Sequence, residues 1–392
     1  MTLAGKTAFV TGGSGFIGGR LIEVLARQYG MRVKTLVRGT TGAGGGAFRA
    51  AAAGADIVFG SLTDRATLDA AVAGCDLVFH CAYGTHGSEA DQRLVTVEGT
   101  RLLAQAAAAA GVANFVHLGT VASYGGNTPP VVTEDYVNPR LWPWSYAHDK
   151  LAAEGALRES ANEGGMPFTI LRLGMVYGPY GGSYTTGPLN AMTVGRLALV
   201  DDGRGVSCAT YVDDVIQAML LAADRTGEGE TYMIRGPDLV TWREFYEVYD
   251  RWLGRDSLVS YSKAEMIAAG RGQWKAALRT LVPATLSALK ASPAFRASAG
   301  GLPYVRPLYA RFGKKLIGAQ VAGAATAPEA PAERPVQLLP EMMIDYFANT
   351  TDFSIDKARS KLGYAPQFDL RRGMELTEQW ARWANLVRNS GQ

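Results

Sequence analysis

The stretch that most constrains the fold is "TAFVTGGSGFIGGRLIEVLARQYG", residues 7–30. A short apolar run enters a glycine cluster, and apolar residues then recur at helical spacing. The pattern predicts a buried strand, a turn and an amphipathic helix. Gly12, Gly15 and Gly18 stand three apart at the junction. Glycines there permit a tight turn, close approach of the backbone to a pyrophosphate, and close packing of helix on strand. The helix start, with Phe16 and Ile17 in its first turn, presents amide N–H groups and a partial positive charge to an anion.

The same rhythm continues for 180 residues. "RVKTLVR", "ADIVFG", "CDLVFHCA", "NFVHLGT" and "MPFTILRLGMVYG" read as strands, with helical patterns such as "TVEGTRLLAQAAAAAG" between several of them. Near-continuous apolar strands separated by helices are buried on both faces, so they predict a doubly wound parallel α/β sheet of the Rossmann type. Residues 1–180 are expected to form the dinucleotide-binding domain. Residues 181–392 are expected to form a smaller substrate-binding lobe interleaved with it. Within that lobe, 255–345 is rich in Ala, Gly and Pro, and "GAQVAGAATAPEAPAERP" has the composition of a flexible linker.

Composition enters through charge and cysteine. The chain is nearly neutral at +3, yet residues 267–328 hold nine Lys or Arg and no acid. The rest of the chain is therefore mildly acidic, which argues against nucleic-acid binding. Basic and apolar residues interleave in 267–328, as an insertion, a lid or a peripheral contact with an anionic membrane surface would require. Cys75, Cys81 and Cys208 have no metal-ligand spacing and cannot build a disulfide framework. They predict reduced thiols in a cytoplasmic protein with no metal.

The second strand should carry the ribose discriminator. It ends "TLVRG", with Arg38 where a free 2′-hydroxyl would call for an acid. This favours NADP(H), with NAD(H) as the alternative. Further on, "WSYAHDKLAAE" sets Tyr146 and Lys150 four residues apart on one face of a helix. A phenol is a poor acid or base at neutral pH, and a nearby ammonium would bring it towards the working range. Thr120, at the end of the strand "NFVHLGT", offers a hydroxyl to hold a substrate oxygen, with Ser123 less well placed.

In this order the motifs resemble the extended short-chain dehydrogenases/reductases, the group of nucleotide-sugar epimerases, 3β-hydroxysteroid dehydrogenases and dihydroflavonol reductases. The resemblance rests on "TGGSGFIG", "GSLTD", "VFHCAY", "VEGT", "FVHLGTVASYG", "YAHDK", "LRLGMVYGP", "TYVDDVIQAM" and "KLGYAP". It implies that Tyr146 is the general acid/base, that Lys150 is both ribose ligand and modulator of the tyrosine, and that Thr120 replaces the usual serine. It further implies that Leu62 and Asp64 lie near the adenine, that His80, Cys81 and Ala82 line the cofactor channel, and that Val176 and Tyr177 flank the nicotinamide. The family habit is a homodimer formed through helices that include the Tyr146 helix.

Three departures narrow the function. Ser61 replaces the first aspartate of the usual "GDLxD", which weakens or hydrates adenine recognition. Val121-Ala122 stands where dehydratases carry Asp-Glu, which argues against loss of water. Ser207, Cys208 and Ala209 occupy the stretch where sugar-nucleotide enzymes place a phosphate-binding arginine, although Arg204 lies slightly earlier. The expected activity is interconversion of a ketone and a secondary alcohol on a bulky apolar molecule. A nucleotide-sugar epimerase with tightly bound NAD is the second reading, and a non-catalytic dinucleotide-binding protein the third.

Overall fold

The computed structural model describes residues 3–39, 45–138, 140–143, 145–224, 228–272 and 334–387. Most of the basic stretch 267–328 therefore lies outside the described residues. Seven strands form the main sheet: β1 Thr7–Thr11, β2 Arg32–Val37, β3 Asp56–Phe59, β4 Leu77–His80, β5 Asn114–Thr120, β6 Phe168–Leu173 and β7 Glu228–Ile234. Their spatial order is β7-β6-β5-β4-β1-β2-β3, and every pair is parallel. Chain order reverses between β1 and β4, which opens a crevice at the carboxyl ends of the strands.

The expected strands form because both sheet faces are covered. Val10, Phe79, Val116 and Leu171 share one core with the helices Phe16–Arg27 and Val212–Asp224. Phe9, Val78, Phe115 and Ile170, from the same strands, share another with Leu103 and Leu157 of the helices on the opposite face. Alternate residues of one strand thus serve two cores, which is why these strands are apolar without interruption.

A third apolar cluster gathers around Trp242, Phe245 and Tyr249 of the helix Trp242–Leu253. Its sheet pairs Arg196–Val200 with Leu258–Tyr261 and Val336–Gln337, again in parallel. Part of the 255–345 stretch is thus regular structure, which its composition concealed. Among the described residues, no helix is long and apolar enough to cross a membrane.

Candidate active site

The crevice is a cleft of about 760 Å³ over the carboxyl ends of the strands. It runs from Arg38 after β2, across the glycine turn after β1, past Cys81 after β4 and Thr120 of β5, to Leu173 of β6 and Val176 just beyond it. At the turn, Gly12 has φ +72°, and a Cβ there would lie 2.9 Å from the Ala82 nitrogen. A Cβ at Gly18 would lie 2.3 Å from the Gly12 carbonyl oxygen. The helix that follows begins at Gly15 with no side-chain cap and no acid in its first turn. Free amides, a positive helix end and a backbone stripped of side chains fit a dinucleotide pyrophosphate.

A buried network fixes the wall opposite the turn. Ala82 N–H donates to Thr11 Oγ1 (3.3 Å), and the Thr11 hydroxyl donates to His80 Nδ1 (2.6 Å). On its other side His80 Nε2 lies 2.9 Å from Thr100 Oγ1. The Thr100 hydroxyl is already given to the Thr96 carbonyl, so His80 must be the donor there. Burial, assisted by the Lys150 charge, drives the His80 value down to about 3, and the ring stays neutral. His80 therefore does not line the cleft, contrary to the expectation; it sits behind Cys81 and Ala82, which do.

The residues expected to handle the proton stand on the helix Ser145–Gly164 and on β5. Thr120 and Tyr146 both line the cleft, and the Thr120 hydroxyl acts to lower the phenol. Tyr146 is still 39% exposed to the cleft. Even so, desolvation pushes its phenol above the ordinary range, the hydroxyls of Tyr83 and Tyr184 adding to this and Thr120 opposing it. Lys150 is 4% exposed and donates to the Leu118 carbonyl. Burial lowers its ammonium to about 8, with Glu154 and Cys81 acting in the opposite direction. The expected lowering of the tyrosine by the lysine is thus not what shapes this site. Desolvation dominates both groups, and it keeps the phenol protonated at neutral pH.

Gly12, Gly15, Phe16, Ile17, Gly18, Arg38, Ser61, Leu62, Cys81, Ala82, Thr120, Tyr146, Lys150 and Val176 all line the cleft. Besides His80, two expected residues do not. Asp64 caps the helix Arg65–Val72, accepting from Ala66 N, Thr67 N and Thr67 Oγ1, so its carboxylate is committed to the fold. Tyr177 is 1% exposed and packs edge-on to Phe245, within the core of the smaller lobe. Conversely, Tyr184, Met342 and Met343 line the cleft and carried no sequence signal, and Tyr83, the last residue of "VFHCAY", lines it without having been assigned a role. Tyr83 packs edge-on against Tyr146 at 5.5 Å. The two methionines arrive from a segment whose surroundings read as linker.

A model of the NAD dependent epimerase/dehydratase family matches residues 8–234, more than half of the chain. The chain belongs to this family. Like its relatives it is an NAD(P)-dependent enzyme of the extended short-chain dehydrogenase/reductase type. A curated relative, the 4-hydroxy-2-methyl-3-oxo-4-farnesyl-3,4-dihydroquinoline-1-oxide ketoreductase of Stigmatella aurantiaca, is 32% identical over 240 residues, 60% of this chain and 70% of that one. A UDP-N-acetyl-alpha-D-glucosaminuronate decarboxylase of Bacillus cytotoxicus is 29% identical over 247 residues, 59% of this chain and 76% of that one. The fold is shared with a dTDP-glucose 4,6-dehydratase of Streptomyces venezuelae solved with NAD bound. That match has a TM-score of 0.66 at 22% identity and covers 96% of this chain and 97% of the other.

Proposed function

We propose that this family member is an NADP(H)-dependent ketoreductase acting on a bulky, largely apolar carbonyl compound. One observation carries the reading. Among the described residues lining the cleft, only Arg38 and Lys150 are charged; the end beyond Tyr146 is lined by Tyr83, Tyr184, Met342 and Met343. A sugar nucleotide brings a diphosphate that calls for cations there, whereas a ring system or isoprenoid chain calls for aromatic and thioether surface. The farnesyl-bearing substrate in the name of the Stigmatella relative supports the same reading. For the cofactor, Arg38 sits at the far end of the cleft and donates to His86 Nδ1 at 3.1 Å. It presents a cation where a 2′-phosphate would lie.

The chemistry follows from the state of each group. The bound nicotinamide supplies or accepts a hydride. Thr120 and Tyr146 donate hydrogen bonds to the substrate oxygen from one side of the cleft. The phenol, held protonated by desolvation, gives up its proton as charge develops on that oxygen. Lys150, fixed on the Leu118 carbonyl, contributes a positive charge beside the reacting centre. Val121 and Ala122, both buried, follow Thr120 and offer no acid or base for eliminating water. The proposal includes a homodimer formed through the face bearing the helix Ser145–Gly164.

The deciding assay follows consumption of NADPH and of NADH with a panel of farnesylated, steroidal and sugar-nucleotide ketones. Steady NADPH oxidation with the apolar ketones, abolished in Tyr146→Phe while dinucleotide affinity is kept, is the expected result. Interconversion of a sugar nucleotide without net use of free cofactor would replace this reading with an epimerase. Dinucleotide binding with no turnover on any substrate class would replace it with a binding protein.

A further inference from the structure

The helix Ser145–Gly164 places Tyr146, Lys150 and Glu154 at successive four-residue steps, hence on one face. Lys150 is 4% exposed and Glu154 1%. Arg172 of β6 clasps the Glu154 carboxylate: its Nε is 3.1 Å from each oxygen and its Nη2 is 2.6 Å from Oε2. Glu154 Oε1 occupies the space where a side chain at Gly119 would begin, 2.5 Å from the position of a Cβ. Gly119 lies between Leu118, whose carbonyl holds Lys150, and Thr120, which lines the cleft with Tyr146. The carboxylate therefore lies beneath the piece of backbone that carries the site's hydrogen bonds.

A buried ion pair is a weak source of stability, because desolvating both charges offsets most of their attraction. What this one contributes is charge. The groups facing Lys150 come from every element packed around it. They are His80 and Cys81 at the end of β4, His117 on β5, the Tyr83 ring at 5.9 Å, and Tyr146 and Glu154 on its own helix. Desolvation keeps the two imidazoles neutral, the Cys81 thiol protonated and the phenol protonated. Among these groups, Glu154 alone carries a formal charge at neutral pH.

We infer that Glu154, held in place by Arg172, is a positioning residue that keeps the Lys150 ammonium protonated inside the dry site. Lys150 buried without it would be drawn further towards the neutral amine. The arrangement separates two tasks: Arg172 and Gly119 hold the carboxylate, and the carboxylate sets the charge of a lysine it does not touch. The inference rests on Lys150 belonging to the site, and it adds a residue to which the sequence assigned no role.

The test is a pH titration of the full chain labelled with [13Cε]lysine, without ligand, with the Lys150 resonance assigned through Lys150→Arg. Glu154→Gln is expected to lower the Lys150 titration by about one unit, the size of one nearby opposite charge. Glu154→Asp should bring it back towards wild type, and Arg172→Gln, which leaves the carboxylate unshared, should move it upward. A Glu154→Gln titration that coincides with wild type overturns the inference. If that variant does not fold, Arg172→Gln alone decides: a Lys150 titration that does not move upward overturns the inference. Turnover gives the second measurement. Glu154→Gln should match wild type at acidic pH and lose activity at lower pH than wild type does on the alkaline side, whereas an equal loss at every pH means a structural role only. Because the titration needs no substrate, it stands even if the assay for ketone reduction fails.

Discussion

His117 shows how far the interior of this enzyme is shaped by desolvation. The residue is 1% exposed, and neither ring nitrogen has a hydrogen-bond partner among the described residues. Burial, with the charge on Lys150 adding to it, pushes its value well below 6.5, and His80, 5.2 Å away, is at about 3. Both imidazoles are therefore neutral in the fold, whereas in the unfolded chain they take up protons below 6.5. Their contribution is fully present above pH 6.5 and is lost as the pH falls from there towards the folded values. Each should add about 1.4 kcal/mol per pH unit to the slope of stability within that window. His117→Leu removes one such group and an unpaired polar ring at once. Denaturant unfolding should find it more stable relative to wild type at pH 5 than at pH 7.5, and an equal difference at both would refute the assignment. At this scale the sequence named Tyr146, Lys150 and Thr120 but could not report their state, because protonation depends on neighbours brought from β4, β5 and β6.

Among the elements, the strand–turn–helix at the start of the chain was the most legible, and its glycines are not equivalent. A Cβ at Gly18 meets the Gly12 carbonyl oxygen at 2.3 Å, and neither group can move without opening the turn. A Cβ at Gly15 meets the same oxygen at 3.1 Å, a contact relieved by a shift of a few tenths of an ångström. Gly18→Ala should therefore abolish dinucleotide binding and lower the melting temperature, while Gly15→Ala should weaken binding and leave the fold intact. Calorimetric titration with NADPH beside thermal melts separates the two, and equal behaviour of the variants would contradict the geometry. Other elements were invisible for a definite reason. The strand β7 reads "EGETYMI", mixing polar and apolar residues as an edge strand does, and it had no neighbouring motif to mark it. Asp64, which the family resemblance put near the adenine, stands before a helix and serves as its N-cap, a role that its type and position also fit.

The whole molecule is closed by its C-terminal segment. Asp352–Phe353 pairs in parallel with Val131–Val132, far away in sequence. Ile355, Ala358, Leu362 and Tyr364 enter the same core as Val215 and Met219 of the helix Val212–Asp224. The Tyr364 hydroxyl donates to the Arg235 carbonyl at 2.9 Å, and Arg235 in turn pairs with Asp352 at 2.8 Å. Tyr364→Ala should cost about 3–5 kcal/mol through the cavity it leaves, and Tyr364→Phe about 1 kcal/mol for the hydrogen bond alone. Chemical denaturation of both variants tests this, and a Tyr364→Ala protein as stable as wild type would mean that the segment docks without supporting the core. By itself the sequence determined the parallel sheet and its glycine turn, and it singled out Thr120, Tyr146 and Lys150 as candidates, because those rest on local periodicity and on spacing along single elements. Only the tertiary structure decided that Tyr83, Tyr184, Met342 and Met343 line the cleft with Tyr146, that His80 and Tyr177 stand behind the wall, and that Glu154 faces Lys150 with Arg172 behind it. Those facts depend on which distant segments share one desolvated space, and spacing along the chain carries no record of that.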